Sequence, residues 1–309
     1  MKKLIIIACI LAMANYKAEA QQNTLVNQYM FAGIILNPAY AGTHSYKEVQ
    51  MLYRNQWVGV QNAPETNYIT MHGPWKGKNK NIGTGLAVQF DRIGTSTQTE
   101  VSGMYSYKLR LGPGKLAFGL RGGVFFFNSK LSDEEVFDEE DPVFTNGNRN
   151  EFFMNFGSGL YYYTKKYYVG LSSQRLMTYG SESGLIKDAD NRQFSERVTF
   201  LYGGYVFNLN ENLKLKPNVL MKVARASDIG LDINANLLVK EMFWVGLSHK
   251  VNQGWAALFQ LEVLDPLRFG YAYDMHSSNT TGGFLGSHEI MVSYDFGKAK
   301  LVMSDIKLF

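Results

Sequence analysis

From Asp228 to Val239 the chain reads DIGLDINANLLV, and its apolar residues fall on every second position. Ile229, Leu231, Ile233, Ala235, Leu237 and Val239 point one way. Asp228, Gly230, Asp232, Asn234 and Asn236 point the other, and Leu238 breaks the rule. A period of two predicts a strand with two unlike faces. The stretch IGTGLAVQFD repeats the pattern, with Ile82, Thr84, Leu86, Val88 and Phe90 opposing Gly83, Gly85, Ala87, Gln89 and Asp91. TQTEVSGMYSYK (97–108) and NLKLKPNVLMKV (212–223) behave alike. Fourteen strands are predicted, over 46–57, 65–73, 81–91, 96–110, 115–129, 151–163, 166–176, 195–208, 212–223, 228–239, 242–251, 255–264, 267–276 and 287–297.

Strands of about ten residues, repeated to the C-terminus and even in number, form the pattern of a bacterial transmembrane barrel. A soluble β-sandwich also alternates, but strand length and aromatic load favour the barrel. The predicted fold is all-β: a transmembrane antiparallel β-barrel of about 14 strands, its lumen plugged by an N-terminal segment. The connections support this. Barrels have short turns at the periplasmic end and longer external loops. Counted from a periplasmic N-terminus, the long stretches 130–150, 177–194 and 277–286 are the fifth, seventh and thirteenth connections. The short stretches 164–165, 210–212, 240–241 and 265–266 are all even-numbered. The second connection, 74–80, is longer than the rule expects. Tyr53, Trp57, Tyr105, Tyr107, Tyr161, Tyr163, Trp244 and Trp255 lie near predicted strand ends, where interfacial girdles form. Pro217 cannot donate to a ladder, so it is expected at a rim or a bulge.

Composition agrees. The chain has 20 Phe and 19 Tyr, and aromatics make up 14%. Its first residues read as an export signal: Lys2 and Lys3, an apolar run from Leu4 to Ala14, and a small-residue cleavage site at Ala18-Glu19-Ala20. The expected organisation is a signal peptide over 1–20, a plug segment over 21–45, a barrel over 46–297 and a tail over 298–309. Ile6-Ile7-Ala8-Cys9 loosely resembles a lipoprotein box, but the apolar run continues past Cys9. Cys9 is the only cysteine, so a processed chain has no disulfide, thiolate nucleophile or cysteine metal site. Processing lowers Lys+Arg from 31 to 28 and Asp+Glu from 27 to 26, a net charge of about +2. Such a balance gives no electrostatic case for nucleic acid.

Little in the sequence suggests catalysis. His44, His72, His249, His276 and His288 lack the spacing of a metal-binding helix. Each is expected in the lumen, in a loop or at a rim. There is no G-x-S-x-G elbow. No catalytic residue, metal ligand or cofactor is predicted. DEEVFDEED (133–141) lacks the order of a calcium loop and reads as a solvated external loop, or else as a contact surface with Val136 and Phe137 as anchors. A barrel of this width cannot be filled by its own wall side chains. LNPAYAGTH (36–44), apolar and punctuated by Pro and Gly, is placed to fold back into the lumen. The alternative is a short periplasmic extension.

NPAYAG (37–42), followed by YRNQWVGVQNAPET (53–66), resembles the N-terminal signature of the PorP/SprF family, outer-membrane proteins of the type IX secretion system of Bacteroidetes. The strand rhythm and the C-terminal HEIMVSYDFG (288–297) are similar to that family too, so the resemblance covers essentially the mature chain. The motif matches at Asn37, Pro38, Tyr40, Ala41, Gly42, Arg54, Gln56, Trp57, Ala63 and Pro64, which are the candidate plug or partner contacts. The resemblance implies a noncatalytic integral outer-membrane barrel that supports secretion, capture or anchoring of surface proteins bearing a type IX C-terminal signal domain. Gliding adhesins would be among them. It also implies contact with periplasmic ring components of the secretion machine and with outer-membrane lipid. A barrel of this size with an N-terminal hatch also resembles FadL-type channels for hydrophobic small molecules, which is the alternative function.

Overall fold

The computed structural model describes residues 26–77, 79–130, 148–180, 184–185, 197–224, 227–264, 266–276 and 286–297. The signal stretch with Cys9, the acidic run 133–141 and the tail 298–309 lie outside the described residues. The wall consists of β1 (Lys47–Asn55), β2 (Glu65–Pro74), β3 (Ile82–Ile93), β4 (Ser96–Leu111), β5 (Gly114–Lys130), β6 (Asn148–Tyr163) and β7 (Tyr167–Gly180). It continues with β8 (Val198–Tyr205), β9 (Leu213–Ala224), β10 (Ser227–Val239), β11 (Phe243–Lys250), β12 (Gly254–Leu264), β13 (Leu267–His276) and β14 (Ser287–Phe296). Each pairs antiparallel with the next, and β14 returns to β1 in a register running from Lys47–Phe296 to Asn55–His288. The fourteen-stranded ring is therefore closed, and its backbone hydrogen bonds leave no edge for lipid. A two-residue strand, Gly184–Leu185, adds to the end of β7 outside the ring.

The period-two pattern becomes two surfaces. Along β10, Ile233 is half exposed, while Asp232, Asn234 and Asn236 are buried. Outward residues such as Leu120, Val169, Leu247 and Ile290 make an apolar exterior. In water this face would be a liability, but in a bilayer it is the solvent-matched side. Leu238, which broke the alternation, faces inward and packs with Val206 and Trp244, with Phe31 against them.

Three aromatic assignments need correction. Tyr161 and Trp244 are buried on the inner face, and Tyr163 packs against the same core, so none belongs to a lipid girdle. Trp57 sits in the connection after β1, with a left-handed φ of 47°. Tyr53, Tyr105 and Trp255 are exposed on the outer face, as a girdle requires. Pro217 lies within five residues of the turn that opens β9, opposite the break between β8 and the short continuation Phe207–Asn208. A proline fits there because its missing N–H falls where the ladder is already interrupted.

One rim carries the connections 75–81, 112–113, 164–166, 209–212, 240–242 and 265–266. The other carries 56–64, 94–95, 131–147, 181–197, 225–226, 251–253 and 277–286. These are called the tight-turn rim and the loop rim.

Candidate functional site on the inner wall

Residues 26–46 precede β1 as three single turns, Tyr29–Phe31, Gly33–Leu36 and Pro38–Tyr40. All but Phe31 and Ser45 are buried. Their partners lie on inner faces all around the ring: Gln50 on β1, Ser106 on β4, Ser172 on β7, Asn234 on β10 and Glu289 on β14. A segment that reaches all these faces runs inside the ring.

The NPAYAG stretch has a fitted seat. Gly83, Ser106, Gly119, Gly159 and Ser172 are direct register partners on β3, β4, β5, β6 and β7, so they form one row of small residues across five strands. The chain from Leu36 to Ala41 follows that row. The Leu36 carbonyl accepts from Ser172 Oγ at 2.7 Å on β7. Asn37 lies over Gly159 on β6, where an added Cβ would stand 2.0 Å from its Oδ1. The Ala39 amide lies over Gly119 on β5, 2.1 Å from an added Cβ. The Ala41 carbonyl accepts from Ser106 Oγ at 2.5 Å on β4 and lies over Gly83 on β3, 2.0 Å from an added Cβ. Hydrogen alone fits at these glycines, the usual meaning of glycine inside a strand.

The local fold follows from the motif's residue types. Asn37 caps the Pro38–Tyr40 turn by accepting from the Ala39 amide at 2.9 Å, and Pro38 opens that turn with its φ already set. The Asn37 amide also donates to the Leu160 carbonyl at 2.9 Å. Tyr40 is edge-on to Tyr161 (5.5 Å) and His72 (5.4 Å), and its hydroxyl meets His44 Nε2 at 3.3 Å. Burial pushes the Tyr29 and Tyr40 hydroxyls well above the ordinary phenol range, so both serve as neutral hydrogen-bonding groups. Gly42 has φ +66°, and an added Cβ would be 2.6 Å from the Gly83 backbone. It turns the chain toward β1 where a side chain has neither the angle nor the room.

The second motif lies elsewhere. Gln56, Trp57, Ala63 and Pro64 form the 56–64 connection at the loop rim, closed by the Gln56 amide donating to the Pro64 carbonyl at 2.9 Å. Arg54 links the two motifs. It pairs with Asp274 at 2.9 Å and Glu289 at 3.2 Å, all three buried. Glu289 also accepts from the Asn27 and Gln28 backbone amides, each at 2.8 Å. The two motifs therefore serve opposite ends of one segment, NPAYAG near the tight-turn rim and Arg54 near the loop rim.

Sequence reasoning missed Glu289, Asp274, Glu48 and Lys216. The Lys216 ammonium sits among Phe31, Tyr168 and Trp244 at 5.4 to 6.0 Å. Its signal was a charge on the inward positions of a strand, a placement that needs partners. Glu48 gathers His44 (3.1 Å), His72 (3.9 Å) and Arg268 (3.3 Å), all on one oxygen. Two histidines and a carboxylate invite a metal reading. The chemistry opposes it. The Gly42 amide donates to His72 Nδ1 at 3.4 Å, which leaves the proton of the neutral ring on Nε2, the atom facing Glu48. Arg268 already places a cation on that carboxylate. The cluster is a carboxylate satisfied by donors. His249 lies tilted against Trp255 on the outer face, ring centres 4.3 Å apart, and His288 meets the Tyr271 hydroxyl at 2.7 Å.

Comparisons with known proteins now have a fold to explain. The family described as type IX secretion system membrane protein PorP/SprF matches residues 18–294. No curated protein sequence matches the chain. Among solved structures, the chain is similar to the outer-membrane protein Omp33 of Acinetobacter baumannii, with 14% identity, 82% of this chain and 99% of that one covered, and a TM-score of 0.41. It is also similar to the Pseudomonas putida toluene transporter TodX, with 10% identity, 92% and 96% coverage and a TM-score of 0.49. For the monoaromatic hydrocarbon channel CymD the values are 11%, 86%, 93% and 0.49. A closed barrel with an apolar exterior, matched over nearly its whole length by one family, is an integral outer-membrane component of the type IX secretion system, and the chain belongs to the PorP/SprF family.

Proposed function

We propose that the protein is a noncatalytic station for exported cargo, in which the N-terminal segment closes the lumen as a plug. On this reading the barrel holds or passes on surface proteins that carry a type IX C-terminal signal domain, gliding adhesins among them, and contacts the periplasmic ring of the machine. The observation that carries the proposal is the seat of NPAYAG on the row from Gly83 to Ser172. A motif of the family is spent on fixing a segment inside the barrel rather than on building a reaction centre. The cavity between Ile35, Tyr68, Met104, Arg121 and Gln174 holds about 10 Å³, room for about one water. The burial of residues 26–44 against the inner wall, Phe31 excepted, supports a filled lumen over a FadL-like route for hydrophobic compounds.

The test compares a strain carrying the full protein with one lacking residues 22–45. Strand hydrogen bonds do not involve those residues, so the barrel should still fold and show heat-modifiable mobility. Antibody labelling of a secreted surface protein on intact cells should fall to background. Folded barrel with wild-type display would sink the proposal.

A further inference from the structure

Two cations face each other at the tight-turn end of the β4–β5 hairpin. Arg110 and Lys115 are direct register partners, and both are exposed. Like charges set opposite each other on neighbouring strands weaken the pairing. Among the described residues neither has an ion-pair partner. Residues 74–82, 108–116 and 163–167 make up the three tight-turn connections between β2 and β7 with their flanks, and they contain no Asp or Glu. Exposed Lys76, Lys80 and Lys166 add positive charge on the same side. Across the rim the charge is balanced: Glu241 pairs with Lys214 at 2.6 Å, and Glu211 and Lys240 are both exposed there. The tight-turn rim is cationic on one side.

Strand parity shows which way the pair faces. Two residues back from Arg110 is Lys108, opposite Ala117, and two further back is Ser106, opposite Gly119. All four are buried on the inner wall. The Lys108 ammonium donates to the Gly42 carbonyl at the foot of the NPAYAG seat. Arg110 and Lys115 continue that inner row, about 7 Å further along the strands. They stand at the mouth of the lumen, on the side where NPAYAG is seated. The outer row at this height carries exposed Leu109 and Leu111. A headgroup layer surrounds the ring and meets that outer row.

We propose that the β4–β5 side of this mouth docks an acidic face of a protein, with carboxylates bridging Arg110 and Lys115. The planar fork of a guanidinium matches a carboxylate, and an ammonium adds a second charged donor. A bridging carboxylate turns the repulsion between the two cations into attraction to a shared anion. Charge confined to one side fixes the orientation of the partner. The proposal deepens the reading that the barrel contacts the periplasmic part of the machine by giving that contact a side and a chemistry. It rests on that reading only for the compartment, since tight turns lie at the periplasmic end of such barrels.

The test uses the full mature protein in an uncharged detergent. The probe is a fluorescein-labelled peptide of about ten glutamates, with a glutamine peptide of equal length as control, and binding is read by anisotropy. The glutamate peptide should bind, the glutamine peptide should not, and rising salt should weaken the binding steeply. Arg110→Gln/Lys115→Gln should weaken it roughly tenfold or more while holding or raising the urea midpoint, because the variant removes a repulsion. Lys214→Gln/Lys240→Gln, across the rim, should change binding by no more than about twofold. No binding, binding indifferent to salt, or equal losses in the two variants would overturn the proposal. A lower urea midpoint for Arg110→Gln/Lys115→Gln would make the pair structural instead. Displacement of the peptide by phosphatidylglycerol added to the micelles at equal charge would replace the protein face with lipid phosphate. If a variant folds poorly, the salt and glutamine arms still decide. Surface display is not read in this experiment, so its failure leaves the cargo reading standing, and a failure of display with intact binding would count against the cargo reading alone.

Discussion

The side-chain oxygen of Asn37 occupies the space that a Cβ on Gly159 would need; the two atoms would be 2.0 Å apart. Gly159 lies in a well-paired strand, opposite Gly119 on one side and Ser172 on the other. A methyl group there leaves the ladder intact and forces Asn37 out of its seat. Gly159→Ala should keep heat-modifiable mobility while exposing residues 26–46 to added protease. Equal protease resistance in mutant and wild type would mean that the seat tolerates a side chain.

The Arg54 guanidinium bridges two buried carboxylates, Asp274 and Glu289, and the Lys250 ammonium lies 3.5 Å from Asp274, so two cations face two anions. Removing one member of a buried ion cluster leaves uncompensated charge and costs about 3–5 kcal/mol. Arg54→Met should lower the unfolding free energy extrapolated from a urea titration by that much. The double variant Arg54→Met/Glu289→Gln should be less damaged than the two single changes added together. Additive effects would show that Arg54 and Glu289 act independently.

The two faces of β10 can be separated by one residue. Ile233 is 48% exposed and Asn234 is 2% exposed. An arginine near the membrane midplane on the lipid face costs about 2–4 kcal/mol. Asn234 donates to Tyr29 and accepts from Asn218 and Asn236, three bonds each worth about 0.5–1.5 kcal/mol, so the lipid face is tested at Ile233 alone. Ile233→Arg should therefore reduce folding into vesicles more than Ile233→Leu does, as read by folded fraction at fixed urea. The reverse order would mean that the lipid face is misassigned.

The strand plan was legible because alternation is a local property of the chain. Predicted strand ends agree with the observed ones to within a few residues. The exceptions were instructive. Leu238, Tyr161 and Trp244 looked like a pattern error and two girdle residues because alternation and nearness to a strand end do not show what packs against the inner face. An inner wall that is itself packed against chain wants apolar contact, and Phe31 and Tyr40 supply it. Gly83 was legible as an inward small residue. Its alignment with Gly119 and Gly159 was not, since register between distant strands is set by pairing. The Glu289 and Arg54 contact spans 235 positions. Each residue was visible in the sequence, and their meeting was a property of ring closure.

Topology gives a further expectation. Asn62 is exposed in the 56–64 connection of the loop rim, and Lys80 is exposed in the 75–81 connection of the opposite rim. An epitope inserted after Asn62 should be labelled on intact cells. One inserted after Lys80 should be labelled only after the outer membrane is opened. The reverse pattern would turn the barrel over.

The most direct test of the central claim is electrical. A fourteen-stranded ring is too wide to be closed by its own wall side chains, so on the proposed reading closure depends on residues 26–46. Purified mature protein in a planar bilayer should show no steady conductance, and protein lacking residues 26–45 should show a stable open pore. Steady porin-like current through the intact protein, or a deletion variant that folds and stays closed, would contradict the account.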